Sequence, residues 1–155
     1  MNTTDVPLAA IDSLATGLEH LFTRWRRFDV PGELSFTAAA TLRGLAHDGP
    51  SRLTDLAEHE TVSQPAMTQL VTRLEGQGLV ERVKDPADAR VVLVRATTAG
   101  QALVEQRRAA RVSQLADLFA ALPPPQQDAL LGALLDALPA IHRLADLPLT
   151  SWSRS

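Results

Sequence analysis

The run LTDLAEHETVSQPAMTQLVTRLEGQGLVERVKDPADARVVLVRATTAG, residues 53–100, joins a helical pattern before Gly76 to a β-rich pattern after Gly78. Leu53, Leu56 and Ala57 fall at helical spacing behind Ser51, which predicts a short helix capped by that serine. Glu60-Thr61-Val62 then forms a tight break. Ser63 is the expected N-cap of the next helix, Pro65 falls in its first turn where a missing N–H costs nothing, and Met67, Leu70, Val71 and Leu74 make its apolar stripe. Gly76 and Gly78 are expected to end it. Two short helices joined by so short a turn are a helix-turn-helix, whose second helix is the one shaped to enter a groove.

Beyond Gly78, Leu79 to Lys84 and Val91 to Thr97 are rich in β-branched residues and flank the turn-forming hexapeptide DPADAR, which predicts a hairpin. A hairpin directly behind a recognition helix is a wing. The expected fold class is therefore mainly α with a small β-hairpin wing (α+β), a winged helix-turn-helix flanked by N- and C-terminal dimerisation helices. The domain division that follows is 1–34 for the N-terminal arm helix, 35–97 for the winged module and 98–155 for the C-terminal helices.

Outward from that module, Leu8, Ile11, Leu14, Leu18, Leu21, Phe22 and Trp25 mark a first helix from Leu8 to about Phe28, broken at Asp29 to Glu33 by Pro31 and Gly32. Ser35 should cap a second helix over Phe36 to Ala46, stopped by His47-Asp48-Gly49-Pro50. Thr98 is the expected cap of a long helix reaching about Leu122, with Leu103, Val104, Val112, Leu115, Leu118 and Phe119 as its apolar positions. Pro123-Pro124-Pro125 ends it, and a last helix carries Leu130, Leu131, Leu134, Leu135, Leu138, Ile141 and Leu144, with Pro139 expected to kink or shorten it. Thr150 to Ser155 are expected to fray. The small winged module lacks the surface to bury the stripes of the terminal helices, so these are expected to pack across subunits in a two-fold dimer. The alternative is that they complete a monomeric helical bundle.

Composition closes several branches of function. The chain has 155 residues and no cysteine, which excludes a disulfide framework, a thiolate zinc site and thiol redox sensing. No apolar run approaches membrane-spanning length and no secretory leader is recognisable, so a cytoplasmic protein without a membrane partner is expected. Absent too are a G-x-S-x-G elbow, a phosphate-cradling glycine loop and an H-E-x-x-H zinc motif, so the chain reads as a non-enzyme without a cofactor. The net charge of −3 runs against the usual positive excess of nucleic-acid binders, and Ser51 to Thr97 holds six cations against seven acids. Placement of charge, not its total, has to carry any case for DNA.

Opposite the apolar stripe of the recognition helix stand Gln64, Pro65, Thr68, Gln69 and Thr72, with Ser63 at its start and Arg73 at its flank. Gln can hydrogen-bond an adenine edge twice, Thr offers a hydroxyl and a methyl, and Pro can touch a thymine methyl. The bland alternative is an ordinary solvated helix face. At the hairpin tip, Arg90 lies close in sequence to Asp85 and Asp88, whose carboxylates are expected to pair with it and aim it at a minor groove; the alternative is a salt-bridged surface turn. Arg52, Arg82 and Lys84 are candidate phosphate contacts, which position a protein without specifying sequence. His20, Arg24 and Trp25 on the first helix, with Arg43 and His47 on the second, are candidates for a ligand site that stacks an aromatic ring and pairs an anion. Trp25 as dimer core is the competing reading.

This core resembles the MarR (multiple antibiotic resistance regulator) family, through Leu79-Val80-x-Arg82, the wing Asp85-x-x-Asp88-x-Arg90 and the helix start Thr97-x-x-Gly100; the order and lengths of the flanking helices match as well. The resemblance implies a homodimeric regulator of transcription that binds double-stranded DNA, with its terminal helices joining the subunits. It further implies that the helix from Ser63 to Glu75 enters the major groove and that Arg90 reaches the minor groove. A small, often aromatic or anionic effector would bind between the dimer arm and the winged module. Members that sense oxidants through a first-helix cysteine have no counterpart here. Nor do zinc sensors, because His20, His47, His59 and His142 are scattered without ligand spacing. A winged fold that binds protein instead of DNA is the remaining rival, and Arg90 with the Gln64-to-Arg73 face is what distinguishes the two.

Overall fold

The computed structural model describes residues 7–27 and 32–145, which form six helices and one hairpin. In chain order these are α1 (Leu8–Trp25), α2 (Phe36–His47), α3 (Leu53–His59), α4 (Gln64–Gly76), β1 (Val80–Lys84), β2 (Val92–Ala96), α5 (Thr98–Ala120) and α6 (Pro124–Ala145). The chain divides into two compact units after Val112, so the boundary falls inside α5. Phe28, Pro31, the Leu144 side chain and Thr150 to Ser155 lie outside the described residues.

The core of the first unit is built by α2, α3, α4 and the hairpin. Leu42, Met67 and Val71 are 0% exposed, with Leu45, Leu74, Val80 and Val94 sealed beside them. Each comes from the inward stripe of its element, which is why helical spacing in α4 and alternation in the strands locate the core from sequence. Leu103 and Val104 of α5 pack against its edge. Ser35 caps α2 as expected, its Oγ accepting from Ala38 N at 3.2 Å. Ser63 caps α4 in the same way through Ala66 N. Thr61, with φ +53°, makes the tight turn between α3 and α4.

The hairpin is antiparallel, with Val80 opposite Ala96 and Lys84 opposite Val92. Gly78, at φ +72°, turns the chain from α4 into β1 in a backbone region costly for any other residue type but asparagine or aspartate. Thr97 then ties the far strand back: its Oγ1 donates to Gly78 O at 2.6 Å and accepts from Gly100 N at 3.1 Å. That second bond makes Thr97, not Thr98, the cap of α5. A Cβ at Gly100 would collide with the Leu79 carbonyl oxygen, so only glycine lets α5 lie this close to the hairpin.

Ser51 is also corrected. Its N–H donates to Val94 O at 2.9 Å and its carbonyl accepts from Val94 N at 2.8 Å, a bridge to β2 that draws Ser51 into extended backbone. The N-cap of α3 falls to Arg52, with no side-chain capping bond. Helix ends shift elsewhere too: α1 stops at Trp25 and passes into a turn at Arg26 and Arg27, α2 runs one residue further to His47, and α5 stops at Ala120. Pro139 does not shorten α6, which continues to Ala145.

Neither α1 nor α6 has a buried residue among those described. Leu14, Leu18 and Leu21 on α1 are exposed, as are Leu130, Leu134 and Ile141 on α6. No helix among the described residues is long and apolar enough to cross a membrane.

Candidate nucleic-acid interface

The sequence of α4 sorts its residues into two faces. Met67, Leu70, Val71 and Leu74 turn into the core, which leaves Gln64, Pro65, Thr68, Gln69, Thr72 and Arg73 in solvent, with Ser63 exposed at the start. The structure thus brings together on one open face the whole set expected to read bases. The two threonines are not free hydroxyls, however. Thr68 Oγ1 donates to Gln64 O and Thr72 Oγ1 donates to Thr68 O, each at 2.9 Å, the back-bonding available to a threonine inside a helix.

Arg82, on β1, reaches across to this helix. Its Nη1 pairs with Glu75 Oε2 and its Nη2 donates to Thr72 Oγ1 at 3.3 Å. A guanidinium so engaged has already met a carboxylate, unlike Arg52 and Lys84, which are exposed and make no ion pair among the described residues. On the other side of the hairpin, Arg95 Nε donates to Glu81 Oε1 at 2.8 Å, a cross-strand pair.

The carboxylates at the wing tip do not hold the Arg90 guanidinium. Asp85 Oδ1 accepts from Ala87 N at 2.8 Å and Asp88 Oδ1 accepts from Arg90 N at 3.0 Å, so both are spent on the backbone of the turn. This is the local bonding by which aspartate shapes tight turns. The consequence is that Arg90 is exposed and forms no ion pair among the described residues. The turn is set by aspartates while its one arginine stays available.

A second feature lies behind the helices of the first unit. An open cleft of about 1040 Å³ is lined by Arg43 and His47 of α2 and by Arg107 and Arg111 of α5. A smaller one of about 520 Å³ shares Arg43, Arg107 and Arg111 and adds Trp25. His20 and Arg24 line neither. Arg107 is 7% exposed, and its Nη1 donates to Gly32 O at 2.9 Å. Burial first, and the Arg111 charge second, push its pKa below the ordinary arginine value; burial and then Arg43 do the same to Arg111. Guanidinium remains cationic through such shifts, so the three form a positive cluster. The α5 arginines were missed from sequence, although a signal existed: Leu103, Arg107 and Arg111 follow one another at four-residue steps, placing cations where the inward stripe should continue.

Comparison with known proteins agrees with this geometry. Residues 34–92 match the model of the MarR family. An HTH-type transcriptional regulator of Mycobacterium tuberculosis is 36% identical over 129 residues, which is 83% of this chain and 89% of that protein. The chain belongs to the MarR family. It is thus a DNA-binding regulator of transcription, and the α3–α4 pair with its hairpin forms its winged helix-turn-helix. Among solved structures, RV1404 from Mycobacterium tuberculosis superposes with a TM-score of 0.70 at 25% identity, covering 90% of this chain and 97% of its own. A MarR family protein from Bacillus stearothermophilus shares the fold at a TM-score of 0.74 and 20% identity, covering 94% and 100%.

Proposed function

We propose that this chain is a homodimeric repressor, acting in the cytoplasm, that binds a pseudo-palindromic operator and is released by a small ligand. The observation that carries the reading is the open Gln64-to-Arg73 face of α4 with Arg90, exposed and without an ion pair among the described residues, standing at the tip of the adjoining hairpin. In each protomer α4 lies in the major groove, Arg90 enters the flanking minor groove where the negative potential is concentrated, and Arg52 and Lys84 meet phosphates. The apolar stripes of α1 and α6 supply the subunit interface, because exposed leucines at helical spacing gain most by being covered. A dimer seated over a promoter blocks polymerase sterically, which favours repression over activation.

The effector is a small aromatic or anionic molecule held by Trp25, Arg43, Arg107 and Arg111. Three guanidinium groups around one cleft repel one another, and an anion relieves that repulsion. Binding then favours one spacing of the two reading heads over the other, a population shift in the ordinary sense.

The test is selection of bound fragments from the source genome followed by footprinting. Two protected half-sites with centres about one helical turn (roughly 10 bp) apart are expected. Protection of a single half-site by one chain overturns the dimeric reading. Arg90→Ala should weaken binding and lower the slope of log K against log salt by about one unit. An unchanged slope removes Arg90 from the contact.

A further inference from the structure

Two threonines on the exposed face of α4 differ in what they have left to offer a base, and the difference comes from the wing. A threonine hydroxyl has one proton and two acceptor positions. In Thr68 and Thr72 alike the proton goes to the carbonyl four residues back, at 2.9 Å. Thr68 keeps its acceptor positions. Thr72 does not keep both, because Arg82 Nη2 donates to its Oγ1 at 3.3 Å while Glu75 anchors the same guanidinium. The Thr72 oxygen is turned back onto its own helix and covered by a cation, and its methyl is the branch that neither bond engages.

We propose that Thr72 is a specificity-determining residue that reads a thymine through its methyl group, and that Arg82 is the positioning residue that enforces this choice. The proposal rests on the reading that α4 enters the major groove, where the 5-methyl of thymine is the apolar feature among otherwise polar base edges. It also reassigns Arg82, whose charge is engaged by Glu75, from phosphate contact to a clamp between β1 and α4. Thr68, one turn earlier, remains an acceptor toward a base amino group.

The experiment uses the full chain and duplexes enriched by the wild type from a randomised pool, with each thymine of the enriched site replaced in turn by uracil, which lacks only the methyl. Thr72→Val keeps the methyl and the β-branch but deletes the hydroxyl; Thr72→Ser does the reverse. Thr72→Val should bind within about twofold of wild type, and Thr72→Ser should lose about fourfold, the worth of one buried methyl group. At one thymine, uracil replacement should cost the wild type and Thr72→Val a similar factor and cost Thr72→Ser nothing. Arg82→Met should weaken the preference at that base pair with the salt slope unchanged. The opposite ranking of the valine and serine variants, or no effect from either, overturns the proposal. So does an Arg82→Met variant whose salt slope falls by about one while its base preference stays intact, since that is the behaviour of a phosphate contact. Failure of the wild type to enrich any duplex overturns the groove reading itself and this proposal with it.

Discussion

Helices α1 and α4 carry apolar stripes of similar regularity and end in opposite circumstances. In α4, Met67, Leu70, Val71 and Leu74 are sealed against α2, α3 and the hairpin. In α1 no residue is buried, and Leu14 is 57% exposed. Periodicity therefore tells which face of a helix is adhesive; it does not tell whether the same chain supplies the cover. α4 has partners because the turn at Thr61 and the turn at Gly78 fold its neighbours in sequence directly onto it. α1 meets α2 at the edge-on pair of Phe22 and Phe36, whose ring centroids are 6.2 Å apart.

The largest effect that tests this contrast comes from placing the same charge on each stripe. Val71→Asp sets a carboxylate on the α4 stripe at a position with no solvent exposure, among apolar side chains, and should abolish the folded winged module, seen as loss of a cooperative denaturation transition. Leu14→Asp should leave that transition in place and, if α1 forms the proposed subunit interface, shift the protein from dimer to monomer in sedimentation, raising the dimer dissociation constant by more than about 100-fold, as removal of a central interface anchor does. A cooperative unfolding transition retained by Val71→Asp, or lost by Leu14→Asp, breaks the comparison.

The smallest effect sharpens it at the level of single hydroxyls. Ser35→Ala removes a cap that accepts from Ala38 N and should cost about 0.5–2 kcal/mol in urea denaturation. Ser51→Ala should cost at most a few tenths, as for surface changes away from such features, because Ser51 serves the fold through its backbone bridge to Val94. Equal losses in the two variants would return Ser51 to the role of a cap.

Much of the architecture is legible in the sequence. The helix-turn-helix, the hairpin and the open face of α4 follow from periods of 3.6 and 2 and from turn chemistry, all of which are local. Three of the misreadings share one cause. Ser51 and Thr98 were chosen as caps by residue type and position, but Ser51 was claimed by Val94 and the cap of α5 by Thr97, whose hydroxyl also bonds Gly78 O. Arg82 read as a free cation until folding set it beside Glu75 and Thr72. The Arg90 carboxylate pairing failed for the reverse reason, since Asp85 and Asp88 found nearer donors in their own turn.

Which residues are apolar, which segments are helical and which side of α4 faces solvent are matters of near neighbours, and near neighbours can be counted along a chain. Which charges remain available is different. Arg82 is spent on Glu75, and Arg43, Arg107 and Arg111 meet around one cleft, because folding brings these side chains to the same place, and electrostatic attraction and repulsion depend on that separation in space and on the medium between the charges.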